Sequence, residues 1–270
     1  MPIARAGDID LEYYVEGSGL PLLMLMGFAG SAHTWGQPFV DELNKSFTTI
    51  RVSNRGTGNS FKPADQFTVR DMADDAKHLL DVLGIDQAHV LGISMGGMIA
   101  QEFALAYPER IHGLVLGCTT LGAPNAIAAD PETNASMTPE PGMAPQDIIR
   151  KSWYALVSDP FVSEGHDFLE GLIVTFMKYP TPMDTIMKQV MAIMGFSTGD
   201  RASGISAPTL VIHGDVDRLV PPANGDKVTA AIPGARLHTI PGAAHMFFWE
   251  QPQASAAATT EFLARVPARV

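Results

Sequence analysis

The chain has 270 residues, 46% of them hydrophobic and 17% charged, with a formal net charge of -11 and one cysteine, Cys118. Such a composition is globular and excludes extended disorder, the acidic balance without a basic stripe excludes a phosphate-neutralising nucleic-acid surface, and a single cysteine excludes an internal disulfide. The amino-terminal MPIARAGDID has no signal-peptide apolar run, and no stretch approaches the roughly 20 apolar residues of a membrane span, so the expectation is a cytoplasmic protein, monomer or homodimer, with neither nucleic acid nor membrane as partner.

The first segment, IDLEYYVEG, ends at Gly17-Ser18-Gly19 and predicts an antiparallel strand closing in a turn. From Pro21 onward, short apolar runs (Leu22 to Met26, Thr48 to Val52, Ala88 to Ile93, Leu114 to Cys118) alternate with amphipathic stretches, which predicts a mainly parallel sheet with helices on both faces. Between Val69 and Leu83, apolar Val69, Met72, Ala76, Leu79, Leu80 and Leu83 recur at helical spacing, and Gly84 follows as a cap. The alternation stops from about Leu121 to Ser203, where prolines dominate the first half and helical patterns with Met177, Met183, Met187, Met191 and Met194 the second. This segment reads as a helical cap insertion, 121-203, over a core formed by 1-120 and 204-270. Its methionine stripe reads as ordinary core, or as thioethers suited to an adaptable substrate pocket. The final third resumes with a TLVIHG strand, a helix from Pro221 to Ala231, an ARLHTI strand and a helix from Gln251 to Arg265.

The decisive segment runs from His89 to Ala104: an apolar strand enters Gly92-Ile93-Ser94-Met95-Gly96, and an apolar helix follows. A sharp strand-to-helix turn strains the backbone of Ser94 and leaves no room for side chains at positions 92 and 96. The helix beginning at Met95 aims its first amides at the same point, so nucleophile and anion stabilisation are built together. A serine hydroxyl needs a base, and imidazole is the side chain tuned for it. Of eight histidines, His245 lies in a small-residue loop after the penultimate apolar strand and before the last helix, whereas His33 and His213 flank sheet edges. Asp215 and Asp217 both follow TLVIHG and compete to hold the second imidazole nitrogen.

The stretch GISMGGMIAQEFALAYPERIHGLVLGC resembles the elbow, helix and next strand of esterase and lactonase members of the α/β-hydrolase family, and the resemblance extends over nearly the whole chain. It implies the α/β-hydrolase fold, a Ser94-His245-Asp217 triad through the match of Gly214-Asp215-Val216-Asp217 to G-x-x-D, and a role for Asp215 in the loop. It implies an oxyanion hole from the NH groups of Met95 and Phe28, the latter because Met26-Gly27-Phe28-Ala29-Gly30 matches His-Gly-x-x-Gly. Two departures stand out. Met26 replaces a histidine, implying altered loop packing and a more apolar pocket floor. In VSNRGTGNS, Ser53 replaces the aspartate of Asp-x-Arg-Gly-x-Gly-x-Ser, so a carboxylate supporting Arg55 is expected to be missing.

The implied activity is hydrolysis of carboxylic esters or lactones of small to medium apolar molecules through an acyl-enzyme, with Trp35, Trp153 and Phe247 as pocket walls. No cofactor is needed and no metal-ligand spacing is present. Relatives using the same triad hydrolyse enol-lactones, cleave carbon-carbon bonds in diketones, or perform cofactor-free perhydrolysis seen as haloperoxidase activity. A noncatalytic ligand receptor is the alternative from another class.

Overall fold

The computed structural model describes residues 2-266, so Met1 and the last four residues of the expected core lie outside it. The chain opens with β1 (Ile3–Ala6), β2 (Ile9–Gly17) and β3 (Leu20–Leu25), followed by α1 (Gln37–Asn44) and β4 (Phe47–Val52). It continues through α2 (Val69–Val82), β5 (Ala88–Ile93), α3 (Met95–Ala106) and β6 (Ile111–Gly117). An excursion of helices comes next: α4 (Pro131–Ser136), α5 (Pro145–Leu156), α6 (Asp159–Glu164), α7 (His166–Lys178) and α8 (Met183–Met194). The sheet resumes with β7 (Thr209–Gly214), α9 (Ala223–Ala231) and β8 (Arg236–Ile240), and α10 (Phe247–Glu250) and α11 (Pro252–Leu263) end the described chain.

The eight strands are ordered β1-β2-β4-β3-β5-β6-β7-β8, with β1 and β2 antiparallel and the rest parallel. β3, β5, β6 and β7 are continuous apolar runs because helices cover both of their faces. Two buried clusters result. One packs α2 and α3 against the sheet through Met72, Leu79, Leu80, Ile99 and Phe103; the other packs α1, α11 and the helical excursion through Phe39, Trp153, Leu172 and Phe248.

α2 forms where its pattern predicts. Thr68 closes a capping box with Asp71, and Val69, Met72, Ala73, Ala76, Leu79 and Leu80 face inward. β1 carries too little pattern in its four residues to be read from sequence and is defined by its pairing with β2. The methionines depart from expectation. Met183, Met187, Met191 and Met194 are 55–70% exposed and Met177 is 46% exposed, so they form neither core nor an enclosed pocket wall. α8 turns Thr185, Lys188, Gln189 and Ala192 inward instead: Lys188 and Gln189 meet loop backbone, and Ala192 joins the apolar cluster. Lys188 Nζ donates to Pro63 O at 2.8 Å, and Gln66 Nε2 donates to Lys188 O at 2.9 Å. Among the described residues, no helix is long and apolar enough to cross a membrane.

Candidate active site

Strand register assembles the site. Leu25 is level with Gly92, Gly92 with Leu116, Leu116 with Val211 and Val211 with Leu237. The residues just beyond these ends, Gly27, Ser94, Cys118, Asp217 and His245, therefore emerge along one edge of the sheet, where parallel α/β sheets bind ligands.

Ser94 joins β5 to α3 with φ 55° and ψ -120°, a conformation that a residue with a Cβ pays roughly 1–3 kcal/mol to adopt. The surroundings over-determine it: Ser94 N donates to Gly117 O at 2.8 Å, while Gly97 N and Thr119 Oγ1 both donate to Ser94 O at 2.8 Å. A Cβ at Gly96 would run into Leu25 O, and one at Gly92 into Gly96 O, so both glycines of the motif are required by backbone approaching backbone. Ser94 remains partly exposed while its neighbours on both sides are buried. The loop after β3 lies directly against it: a Cβ on Gly27 would sit 3.1 Å from Ser94 Cβ. Phe28 follows Gly27 on that loop and Met95 follows Ser94 at the start of α3; among the described residues, neither NH donates in a backbone hydrogen bond of the turns and loops.

Asp217 and His245 are buried together, with Asp217 Oδ2 at 2.9 Å from His245 Nδ1. An ionised carboxylate only accepts, so Nδ1 carries the proton toward Asp217 and the Nε2 lone pair is left free of that bond. Burial alone would raise the Asp217 carboxyl. The positive charge available on His245 and hydrogen bonds from His213 and His245 outweigh it and hold the group below the ordinary aspartate range. Val220 N adds a bond to Asp217 Oδ1 at 2.9 Å. His213, which sequence reasoning left at the sheet edge, supports the acid: its Nε2 lies 2.8 Å from Val220 O and 3.2 Å from Asp217 Oδ2. Asp215 faces away and accepts from Gly242 N at 2.7 Å, holding the loop that leads to His245. Ser94 Oγ and His245 are not hydrogen-bonded in this geometry; such bonds tighten as substrate is bound.

Cys118, at the tip of β6, fills the space between these groups. Its Sγ, a carboxylate oxygen of Asp217 and a ring nitrogen of His245 all lie within 4.8 Å of one another, the spacing of a possible metal triad. Complete burial, reinforced by the Asp217 charge, pushes the thiol well above its ordinary value. The signal for Cys118 was its place one residue beyond a strand, in line with Ser94.

The expected loss of a carboxylate beside Ser53 is corrected twice over. Arg55 is held by Asp75 of α2, with Nε and Nη2 at 2.6 and 2.7 Å from its two oxygens. The vacated position is served by Glu12 of β2, whose buried carboxylate accepts from Ser53 Oγ at 2.7 Å, Asn59 N at 3.0 Å and Asn59 Nδ2 at 2.6 Å, with His33 Nε2 at 3.0 Å. Burial raises the Glu12 carboxyl, but these bonds prevail and leave it far below its usual value. Met26 is buried against Gly30, and its carbonyl accepts from Asn54 Nδ2 at 2.9 Å. The proposed walls fare differently. Trp35 and Phe247 have 0% and 1% exposure, Trp35 packed against Phe39 and Phe248 and Phe247 against Gly117, so both are core side chains beneath the edge. Trp153 is buried on α5 with its ring against His166. Two surface depressions, one lined by Pro21 and Gly84 and the other by Pro208 and Leu237, do not include Ser94.

The family model described as alpha/beta hydrolase fold matches residues 21-252. The chain belongs to the α/β-hydrolase family. Among similar proteins is the RutD protein of Azorhizobium caulinodans, named as a carbamate hydrolase, 29% identical over 92% of each chain. The 2-hydroxy-6-oxononadienedioate/2-hydroxy-6-oxononatrienedioate hydrolase of Comamonas testosteroni is 29% identical over 92% of this chain and 89% of its own. A thermophilic esterase from Thermogutta terrifontis superposes with a TM-score of 0.83 at 26% identity, covering 98% of this chain and 97% of that one. This α/β-hydrolase thus shares its architecture with proteins named for different substrates, and fold alone does not choose among them.

Proposed function

We propose that this α/β-hydrolase cleaves carboxylic esters or lactones of small to medium apolar molecules through an acyl-enzyme on Ser94. The observation that carries the proposal is the strained, partly exposed Ser94 on the same sheet edge as the buried Asp217–His245 pair. Ser94 Oγ attacks the carbonyl carbon while His245 Nε2 takes its proton, and the NH groups of Phe28 and Met95 hold the resulting oxyanion. Collapse expels the alcohol, which takes the proton from His245. Water then attacks the acyl-Ser94 ester with the same base, releasing the acid and restoring the hydroxyl. Asp217 fixes the tautomer of His245 and stabilises its charged form, and His213 steadies Asp217. No cofactor enters these steps. The helices α4 to α8 act as a cap that bounds the substrate site.

Fluorophosphonate labelling combined with a panel of p-nitrophenyl esters, lactones and a diketone tests the reading. Covalent labelling of wild type but not of Ser94→Ala, with turnover of esters or lactones, is the expected result. Absence of labelling under conditions that label a control hydrolase would leave a noncatalytic ligand receptor. Turnover of the diketone alone would move the chemistry to carbon-carbon cleavage, the reading favoured by the likeness to the Comamonas hydrolase.

A further inference from the structure

Ala29 directly follows Phe28 and has φ 56°, in the left-handed region that residues with a Cβ seldom occupy. Both of its peptide groups are held from the helical excursion. Its N–H donates to Gln189 Oε1 of α8 at 2.9 Å, and its carbonyl accepts from Thr181 Oγ1, in the link between α7 and α8, also at 2.9 Å. On the near side of the loop, Asn54 pins Met26 O, and Gly30 N closes a turn onto Gly27 O at 3.2 Å. The segment carrying Phe28 is thus held at both ends, and the far anchor belongs to the cap.

Gln189 is fully buried, yet its Nε2 has no partner. Burying a polar amide with one donor unsatisfied is unfavourable, and the one hydrogen bond it makes goes to Ala29. Flipping the amide would turn a donor toward the N–H of Ala29 and lose that bond, so the orientation is dictated by the loop. α8 is seated further by the close approach of Thr185 to Gly56 and by the bond from Lys188 Nζ to Pro63 O.

We infer that Gln189 and Thr181 are positioning residues that lock the Phe28 amide into its oxyanion-binding orientation, so that the oxyanion hole is complete only while α8 sits on the core. The inference rests on the ester-hydrolase reading of Ser94. It couples cap seating to the chemical step: an amide turned away from the developing charge contributes little, even when substrate still binds.

The test compares Gln189→Met, which keeps the length and loses the acceptor, with Thr181→Val and Thr181→Ser. Hydrolysis of p-nitrophenyl butyrate and inhibition by a trifluoromethyl ketone, which forms an oxyanion adduct on the serine, are measured for each. Gln189→Met and Thr181→Val are expected to lower kcat by roughly tenfold or more with KM within about threefold, to weaken the ketone in the same proportion, and Thr181→Ser to stay within about twofold of wild type. Thr181 is only half buried, so its variants keep the test usable if Gln189→Met does not fold. Raised KM at unchanged kcat, or wild-type values for both, would show that these side chains merely line the pocket and overturns the inference. Wild type that neither hydrolyses the ester nor labels with a fluorophosphonate overturns the ester-hydrolase reading and the inference with it; labelled, active wild type with indifferent variants overturns the inference alone.

Discussion

α2 and α8 have similar lengths and both carry apolar residues at helical spacing, yet they use that spacing in opposite ways. α2 turns its apolar stripe inward, against the sheet and α3. α8 turns inward Thr185, Lys188, Gln189 and Ala192, and leaves four methionines in contact with solvent. The difference lies in what each helix meets. Beneath α2 is an apolar sheet face, where burial of hydrocarbon dominates at about 25 cal/mol per Å². Beneath α8 are backbone groups of the loops around Ala29 and Pro63, which require hydrogen-bond partners once water is excluded. One helix buries hydrocarbon; the other satisfies loop backbone.

The largest effect should come from the edge. Asp217→Asn is expected to lower kcat for esters by roughly 10⁴-fold, whereas Asp215→Asn, which only loosens the Gly242 turn, should cost far less. Stopped assays of both variants on one ester decide it; the reverse order would move the acid to Asp215. Next comes the inward face of α2. Leu79→Ala removes a fully buried side chain and should destabilise the fold by about 2–5 kcal/mol in urea titrations while leaving kcat intact. A loss of kcat without loss of stability would erase the division of labour between the two helices.

A smaller effect concerns pH. His89 of β5 is buried with neither ring nitrogen bonded, and desolvation, aided by the nearby His112, lowers its value from 6.5 to about 4. The folded state therefore binds fewer protons than the unfolded chain between these values, so the contribution of His89 is complete above about 6.5 and is lost as pH falls towards 4. His89→Leu should flatten that part of the stability curve; an unchanged slope would reassign it to other groups. The smallest effect belongs to the outer face of α8. Met187→Gln and Met191→Gln should each change stability by no more than about 0.5 kcal/mol. A cost approaching that of Leu79→Ala in the same titration would mean that this face is covered in solution.

Much of the site was legible because its signals are local. The strand-Gly-x-Ser-x-Gly-helix run is contiguous, and the turn it specifies strains only its own backbone, so Ser94 and its two glycines carry the same meaning in one dimension as in three. His245 and Asp217 required the order of strands as well. Other features left no local trace. Glu12 serves a position 41 residues away at Ser53, and Gln189 one 160 residues away at Ala29; neither partner alters the pattern around the other. Trp35 and Phe247, named as pocket walls from sequence, are packed into the core beneath the edge, a placement that only packing density reveals.

The amino-acid sequence by itself determined the alternation of strand and helix, the family, the elbow at Ser94 and the absence of a carboxylate at position 53. Each depends on residue types within one turn or one strand, where sterics and periodicity act directly. Only the tertiary structure decided that Asp75 and Glu12 supply the carboxylates around that loop, that His213 stands behind Asp217, and that α8 faces the core with its polar side. Hydrophobic periodicity says which residues avoid water, but which face a helix buries also depends on the polarity of the surface it covers, and that surface is assembled from distant parts of the chain.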